Sequence, residues 1–115
     1  MHAPQPAETT TTALKRADAE RSVVVALEAC IASVAQLPPD KADDPLLHVS
    51  PDTVDALRGC VAEYAHTLRA IDDPPERVLV ALKAMLNDAV PESLNPDAFK
   101  SAAITWCIEA YYDAG

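Results

Sequence analysis

The feature that most restricts the fold of this 115-residue chain is a repeated pattern at the start of its apolar stretches. A residue able to cap a helix, then proline, then an acidic residue occurs three times, at Ser50-Pro51-Asp52, Asp73-Pro74-Pro75-Glu76 and Asn95-Pro96-Asp97. The capping side chain accepts a bond from an unpaired amide, proline at the first helical position loses no bond, and the acid meets the positive end of the helix dipole. The pattern predicts three helix starts.

Apolar spacing predicts the extent of each helix and the face that it buries. We expect a first helix from near residue 13 to Pro38-Pro39, and later helices over about 51–71, 74–89 and 96–113. The predicted core residues are Val23, Val24, Leu27, Cys30, Ile31, Val34 and Leu37 in the first helix, Val54, Leu57, Val61, Tyr64, Leu68 and Ile71 in the second, Val78, Leu79, Leu82, Met85 and Leu86 in the third, and Phe99, Ala103, Trp106 and Ala110 in the fourth. No segment alternates apolar and polar residues as a strand would. Because the connections are short, we expect an all-α fold, an antiparallel four-helix bundle.

The N-terminal residues differ in composition from the rest of the chain. Residues 1–12 are rich in proline and threonine and have little apolar surface to bury, so they are predicted to be a short disordered tail. The remaining residues, 13–115, are predicted to form a single helical-bundle domain, a size that supports one hydrophobic core.

Charge and hydropathy narrow the classes of partner. Eighteen acidic and nine basic residues give a formal net charge of −9, which repels nucleic acid and anionic lipid. The longest apolar run, 23–27, is far shorter than the roughly 20 residues of a transmembrane helix, and the first residues do not resemble a signal peptide. We therefore expect a cytoplasmic protein without a nucleic-acid or membrane partner.

Residues that could support metal, redox or catalytic chemistry lack the necessary spacing. The three cysteines are far apart and odd in number, which indicates reduced core thiols: Cys30, Cys60 and Cys107. The acidic loop with Asp40, Asp43 and Asp44 does not match a calcium-binding loop. The three histidines are not spaced as metal ligands. We expect no metal, no cofactor and no catalytic activity.

The last predicted helix carries a second apolar stripe beside its core stripe. Ile104, Ile108 and Tyr111 belong to it. One interpretation is that the helix contacts two neighbours in its own bundle. The other is that these residues meet a second subunit or a partner protein, since interfaces favour aromatic residues. A ligand pocket near Trp106 is a further alternative, although no polar residues in the sequence converge on it.

A second candidate interface lies on the predicted second helix, opposite its core face. It consists of Ala56, Gly59 and Ala62. Glycine inside a helix is about 1 kcal/mol less favourable than alanine, so its presence is explained if another helix approaches closely there. A solvated surface position is the alternative.

Residues 65–70, "AHTLRA", resemble the "AHTLKG" core of histidine phosphotransfer domains. These domains are small acidic four-helix bundles that pass a phosphoryl group between response regulators. By this resemblance, His66 is the phosphoacceptor, and Arg69 stands where the family usually has lysine and helps to neutralise the phosphate.

Three hypotheses follow for the function. The main one is a small acidic interaction or regulatory module that binds a protein partner and self-associates, as a homodimer. The second is a histidine phosphotransfer-like protein in two-component signalling that acts through His66. The third is a ligand sensor or enzyme with a pocket near Trp106.

Overall fold

A computed structural model describes residues 5–35, 38 and 44–113, with the side chains of 12–35, 38 and 44–112. The four α-helices in this part of the chain are α1 (Gln5–Val34), α2 (Pro51–Ala70), α3 (Pro75–Ala89) and α4 (Pro96–Asp113). Short 3₁₀ helices span Pro45–His48 and Glu92–Leu94, and the described residues contain no strand. The predicted all-α fold with four helices is confirmed.

The predicted helix starts hold at two of three places. Ser50 caps α2 because its hydroxyl accepts a bond from the Thr53 amide, with 3.3 Å between the oxygen and the nitrogen. The helix α4 begins at Pro96 as predicted. The cap proposed for α3 was wrong: α3 begins one residue later than predicted, and the residue before it, Pro74, has no side-chain capping bond. The Asp73 carboxylate pairs instead with Arg16, which is distant in sequence.

The helix α1 begins earlier than the sequence predicted. It starts at Gln5 rather than near residue 13, so residues 5–12 of the predicted tail are helical. The physical reason is that no proline or glycine follows Pro6 until Pro38, so nothing interrupts helix propagation. Residues 1–4 and the predicted core residue Leu37 lie outside the described residues, and the division into a tail and one domain stays a prediction.

The core contains most of the residues that apolar spacing selected. Its buried side chains include Val23, Leu27, Cys30 and Val34 of α1, Leu57, Val61, Tyr64 and Leu68 of α2, Val78, Leu82 and Leu86 of α3, and Phe99, Ala103, Cys107 and Ala110 of α4. Other predicted core residues are half-buried and pack against these, namely Ile31, Val54, Ile71, Leu79, Met85 and Trp106. None of the helices described has the length and apolar character of a membrane span.

The helix α2 lies at the centre of the packing, against α1 on one side and α4 on the other, and α3 packs mainly on α4. Arg16 near the start of α1 meets Asp73 just after α2, and Cys30 near the end of α1 meets Thr53 at the start of α2. These contacts give α1 and α2 opposite directions. The antiparallel arrangement of the whole bundle stays a prediction.

Candidate functional site

Because α4 packs between α2 and α3, it leaves one groove on each side. The first, the α3–α4 groove, has a volume of about 180 Å³. Its apolar lining comes from both helices: Val78, Leu79, Cys107, Ile108, Tyr111 and Tyr112. Ile108 is 40% exposed and Tyr112 is 64% exposed, so large apolar side chains at this groove face solvent.

The α3–α4 groove contains part of the predicted α4 interface. Ile108 and Tyr111 line it, whereas Ile104 is half-buried on the same face of the helix and does not line it. The second stripe of α4 therefore contacts α3 in the same chain, as one of the two interpretations expected. Contact of this stripe with a second subunit or a partner stays a prediction.

Few charged side chains line the α3–α4 groove. Glu76 lines the groove, and Lys83 lies one helical turn beyond Leu79 on the same side of α3. On α4, Asp97 pairs with Lys100 at 3.5 Å between the carboxylate oxygen and the ammonium nitrogen. Asp97 lines a different groove, together with Asp44 and Trp106, so Glu76 is the one charged side chain among the described residues that line the α3–α4 groove, in a chain whose net charge is −9.

Tyr111 is committed to contacts within the chain. Its hydroxyl donates to the backbone carbonyl of Asp73 at 2.6 Å, and the Arg69 guanidinium donates to the Tyr111 carbonyl at 3.0 Å. The Arg69 guanidinium also lies 5.9 Å from the centre of the Tyr111 ring, within the range of a cation–π contact. Tyr111 therefore ties the end of α4 to the end of α2, and replacing it would disturb the fold as well as any interface.

The second groove, the α2–α4 groove, brings together residues from separate hypotheses. It has a volume of about 580 Å³, and its lining includes Arg58, Ala62, His66, Trp106, Glu109 and Tyr112. Arg58 and Glu109 face each other across it, with 3.7 Å between the guanidinium nitrogen and the carboxylate oxygen. The expectation that no polar groups converge near Trp106 was wrong. Helical spacing within α4 gives no information on Arg58 and His66, because α2 supplies them.

His66 is exposed on the edge of α2, as the resemblance to phosphotransfer domains requires. Arg69 follows one helical turn later, but one of its guanidinium nitrogens already donates to the Tyr111 carbonyl. Arg58 lines the same groove, two helical turns before His66, and pairs with Glu109. No local motif pointed to Arg58.

The predicted α2 interface is only partly covered within the described part of the chain, since Ala62 is half-buried and packs against the core. Ala56 and Gly59 are exposed, and a Cβ atom built on Gly59 would have no atom within 4 Å outside its own helix and neighbours. Close packing of another described helix therefore does not explain this glycine. Contact of Ala56, Gly59 and Ala62 with a second copy stays a prediction.

The cysteines are protonated thiols in or near the core. Burial raises the pKa of Cys107 to about 11 and also raises the pKa of Cys30. Burial, with a smaller effect from Glu63, raises the pKa of the half-buried Cys60. Since the thiolate is the nucleophilic form, none of the three is activated.

No metal centre is found among the residues that the structure describes. They contain no group of three or more His, Cys, Asp or Glu side chains arranged to hold a metal ion. Asp40 and Asp43 of the acidic loop lie outside the described residues, and Asp44 is exposed.

Comparisons of the chain with protein-family models, curated proteins and solved structures found no match. The functional assignment therefore depends on the chemistry of the two grooves beside α4.

Proposed function

We propose that this protein is a self-associating interaction module, and that its α3–α4 groove binds a second copy of the chain. The observation that carries the proposal is the apolar lining of this groove together with the exposure of Ile108 and Tyr112 at its edge. Covering apolar surface stabilises an interface by roughly 25 cal/mol per Å², and tyrosine is favoured at interfaces because its ring is apolar and its hydroxyl is polar.

Charge favours a second copy as the occupant. Two chains of net charge −9 repel each other over most of their surfaces. The α3–α4 groove is an exception, because Glu76 is the one charged side chain among its described lining residues. When two copies meet through this groove, apolar side chains are buried and few like charges are brought close together.

The test compares two exposed apolar residues changed in the same way. Ile108→Asp places a carboxylate at the groove, whereas Val80→Asp changes a residue that is 66% exposed and does not line it. By sedimentation equilibrium at micromolar concentration, we expect wild type and Val80→Asp to be dimers and Ile108→Asp to be a folded monomer. Circular dichroism checks that both variants keep the wild-type helical content.

Two results would contradict the proposal. The first is a monomeric wild type at every concentration tested. The second is equal behaviour of the two aspartate variants. A third variant, Gly59→Leu, tests the α2 surface; if it alone becomes monomeric, the interface is on α2 and not at the α3–α4 groove.

A second candidate function is phosphotransfer through His66. The observation in its favour is that this exposed histidine lines the α2–α4 groove, which also contains a cation, Arg58, two helical turns away. After incubation with a phosphorylated receiver domain, we expect label on wild type and on His48→Gln, an exposed control histidine, but not on His66→Gln. Absence of label across a panel of receiver domains would remove this candidate.

The third hypothesis, a ligand sensor or enzyme, is also a proposal for the α2–α4 groove. The chain has one tryptophan, Trp106, and it lines this groove. A ligand bound there would change the fluorescence of the wild type.

A further inference from the structure

The inner face of α1 changes character along the helix. Residues 16, 20, 23, 27, 30 and 34 follow the three-four spacing of a helix seam. The four from Val23 onward are apolar and have no exposed surface, but the two before it are Arg16 and Glu20, both half-buried. Among residues 12–22 none is fully buried. The apolar contacts that hold α1 to the bundle are thus concentrated in its second half.

Among the described side chains, one ion pair links residues 12–22 of α1 to another part of the fold. The Arg16 guanidinium donates to the Asp73 carboxylate at 2.8 Å, and the Asp73 side chain is only 11% exposed. Arg77 also approaches this carboxylate, at 4.0 Å, but it belongs to α3 and makes no link to α1. Because the Asp73 backbone is held by Tyr111, the carboxylate presents a fixed contact point to α1.

The Tyr64 hydroxyl lies beneath this part of α1 and disfavours the arrangement in which α1 covers it. Tyr64 is fully buried, and its hydroxyl has no hydrogen-bond partner among the described residues. Burial, followed by the charge of Glu20, raises the pKa of Tyr64, and Arg16 and Asp73 act on the same group. A buried hydroxyl without a partner destabilises the closed arrangement relative to one in which water reaches it.

A neighbouring groove and the geometry of the helix also allow the first half of α1 to move independently of its second half. A polar groove of about 450 Å³ lies between α1 and α2, and Lys15, Asp18, Ser22, Cys60, Glu63 and Thr67 are among its lining residues. The Ser22 hydroxyl donates to the Asp18 carbonyl at 3.1 Å, a back-bond that often bends a helix. This back-bond lies where the seam changes from charged to apolar.

We propose that residues 12–22 of α1 form a strap that opens from the bundle while residues 23–34 stay packed, with the Arg16–Asp73 pair as its latch. Opening lets water reach the Tyr64 hydroxyl and uncovers the end of α2. The strap is a local unfolding unit of the kind that hydrogen exchange detects.

The test is hydrogen exchange of the full chain, read separately in residues 13–22 and 24–34. In the wild type we expect exchange in 13–22 to be faster by about tenfold or more. Because α1 begins at Gln5, fraying from that end also speeds exchange towards residue 13, so the latch variants are needed to identify opening at the Arg16–Asp73 pair.

Variants at the latch and beneath the strap make the test specific. Asp73→Asn and Arg16→Met are each expected to speed exchange in 13–22 by about tenfold and to leave 24–34 unchanged, since a bond to a charged group is lost. The matched control Arg77→Gln removes the other cation near Asp73 and should change neither segment. Tyr64→Phe removes the unpaired hydroxyl and should slow exchange in 13–22 relative to 24–34.

The proposal is overturned if both halves of α1 exchange alike in the wild type, or if the latch variants speed both halves together. It is also overturned if these variants leave 13–22 unchanged, or if Tyr64→Phe does not slow 13–22 relative to 24–34. Dimerisation of the wild type is measured independently, so failure of the strap and failure of the α3–α4 interface are distinguishable.

Discussion

At the scale of single residues, the buried thiol of Cys107 makes the stability of the fold depend on pH. Its thiol is 1% exposed on the inner face of α4, and burial raises its pKa from an ordinary value of 9.0 to about 11. The unfolded chain therefore loses this proton at a lower pH than the folded chain does. The contribution to stability is fully present below pH 9 and is lost as the pH rises from 9 towards 11.

We predict that the free energy of unfolding of wild type falls by about 2 kcal/mol between pH 9 and 11 because of this thiol alone. Cys107→Ala should remove that part of the slope, although it also lowers stability at every pH by leaving a small cavity. Urea titrations at several pH values measure the slope. Cys60→Ala is the control and should remove less of it, because Cys60 is only half-buried; equal slopes in wild type and Cys107→Ala would contradict the assignment.

Asp73 shows what local sequence rules miss at this scale. Its position before two prolines is typical of a helix cap, yet its carboxylate pairs with Arg16, 57 residues away. A capping rule considers only the neighbours of a residue in sequence, so a long-range cation that competes for the same carboxylate does not enter it. The burial of Tyr64, in contrast, followed directly from apolar spacing.

At the scale of helices, Gly59 is a weak point of α2. It lies in the interior of the helix, it has no positive backbone φ angle, and open space surrounds the position of its missing Cβ. Glycine there loses more backbone entropy on folding than alanine would, and no neighbour in the chain benefits from its small size.

Gly59→Ala is therefore predicted to raise the free energy of unfolding by about 0.5–1 kcal/mol. Thermal denaturation followed by circular dichroism provides the measurement. Because α2 is not the proposed interface, sedimentation should give the same dimer as wild type. A less stable or monomeric Gly59→Ala protein would indicate that the glycine is needed for a close contact with a second copy.

The helices themselves were largely predictable because their signals are local. The starts of α2 and α4 follow from Ser50-Pro51 and Pro96, whose capping and backbone preferences act within one turn. The start of α1 was misplaced because a polar, Thr-rich segment has no apolar periodicity to mark it. The α2–α4 groove was missed for a different reason: Arg58 and Trp106 meet only after two helices have packed.

At the scale of the whole molecule, net charge and the proposed interface act in opposite directions. Each chain carries −9, whereas the α3–α4 groove is lined by apolar side chains and one charged residue, Glu76. Salt screens the general repulsion between chains. It weakens an apolar contact very little, because no attraction between opposite charges stabilises that contact.

Raising the salt concentration from about 20 mM to about 500 mM is therefore predicted to strengthen the dimer, because the Debye length falls several-fold over this range. Sedimentation equilibrium at both concentrations measures the dissociation constant. A dimer that weakens with salt would show that attraction between opposite charges dominates the contact, which does not fit the α3–α4 groove.

The link from Tyr111 to Asp73 also has a consequence for the order of folding. The residues that cover the α4 side of α2, including Trp106 and Tyr111, follow the end of α2 by more than thirty positions. At roughly 5–20 residues per second on a ribosome, that side of α2 is uncovered for a few seconds after α1 and α2 are complete. Refolding of the full chain should show the same order, with the change in Trp106 fluorescence lagging behind the helical circular dichroism signal. If the two signals changed together, α4 would dock as fast as the helices form. The delay before α2 is covered would then come only from the rate of synthesis.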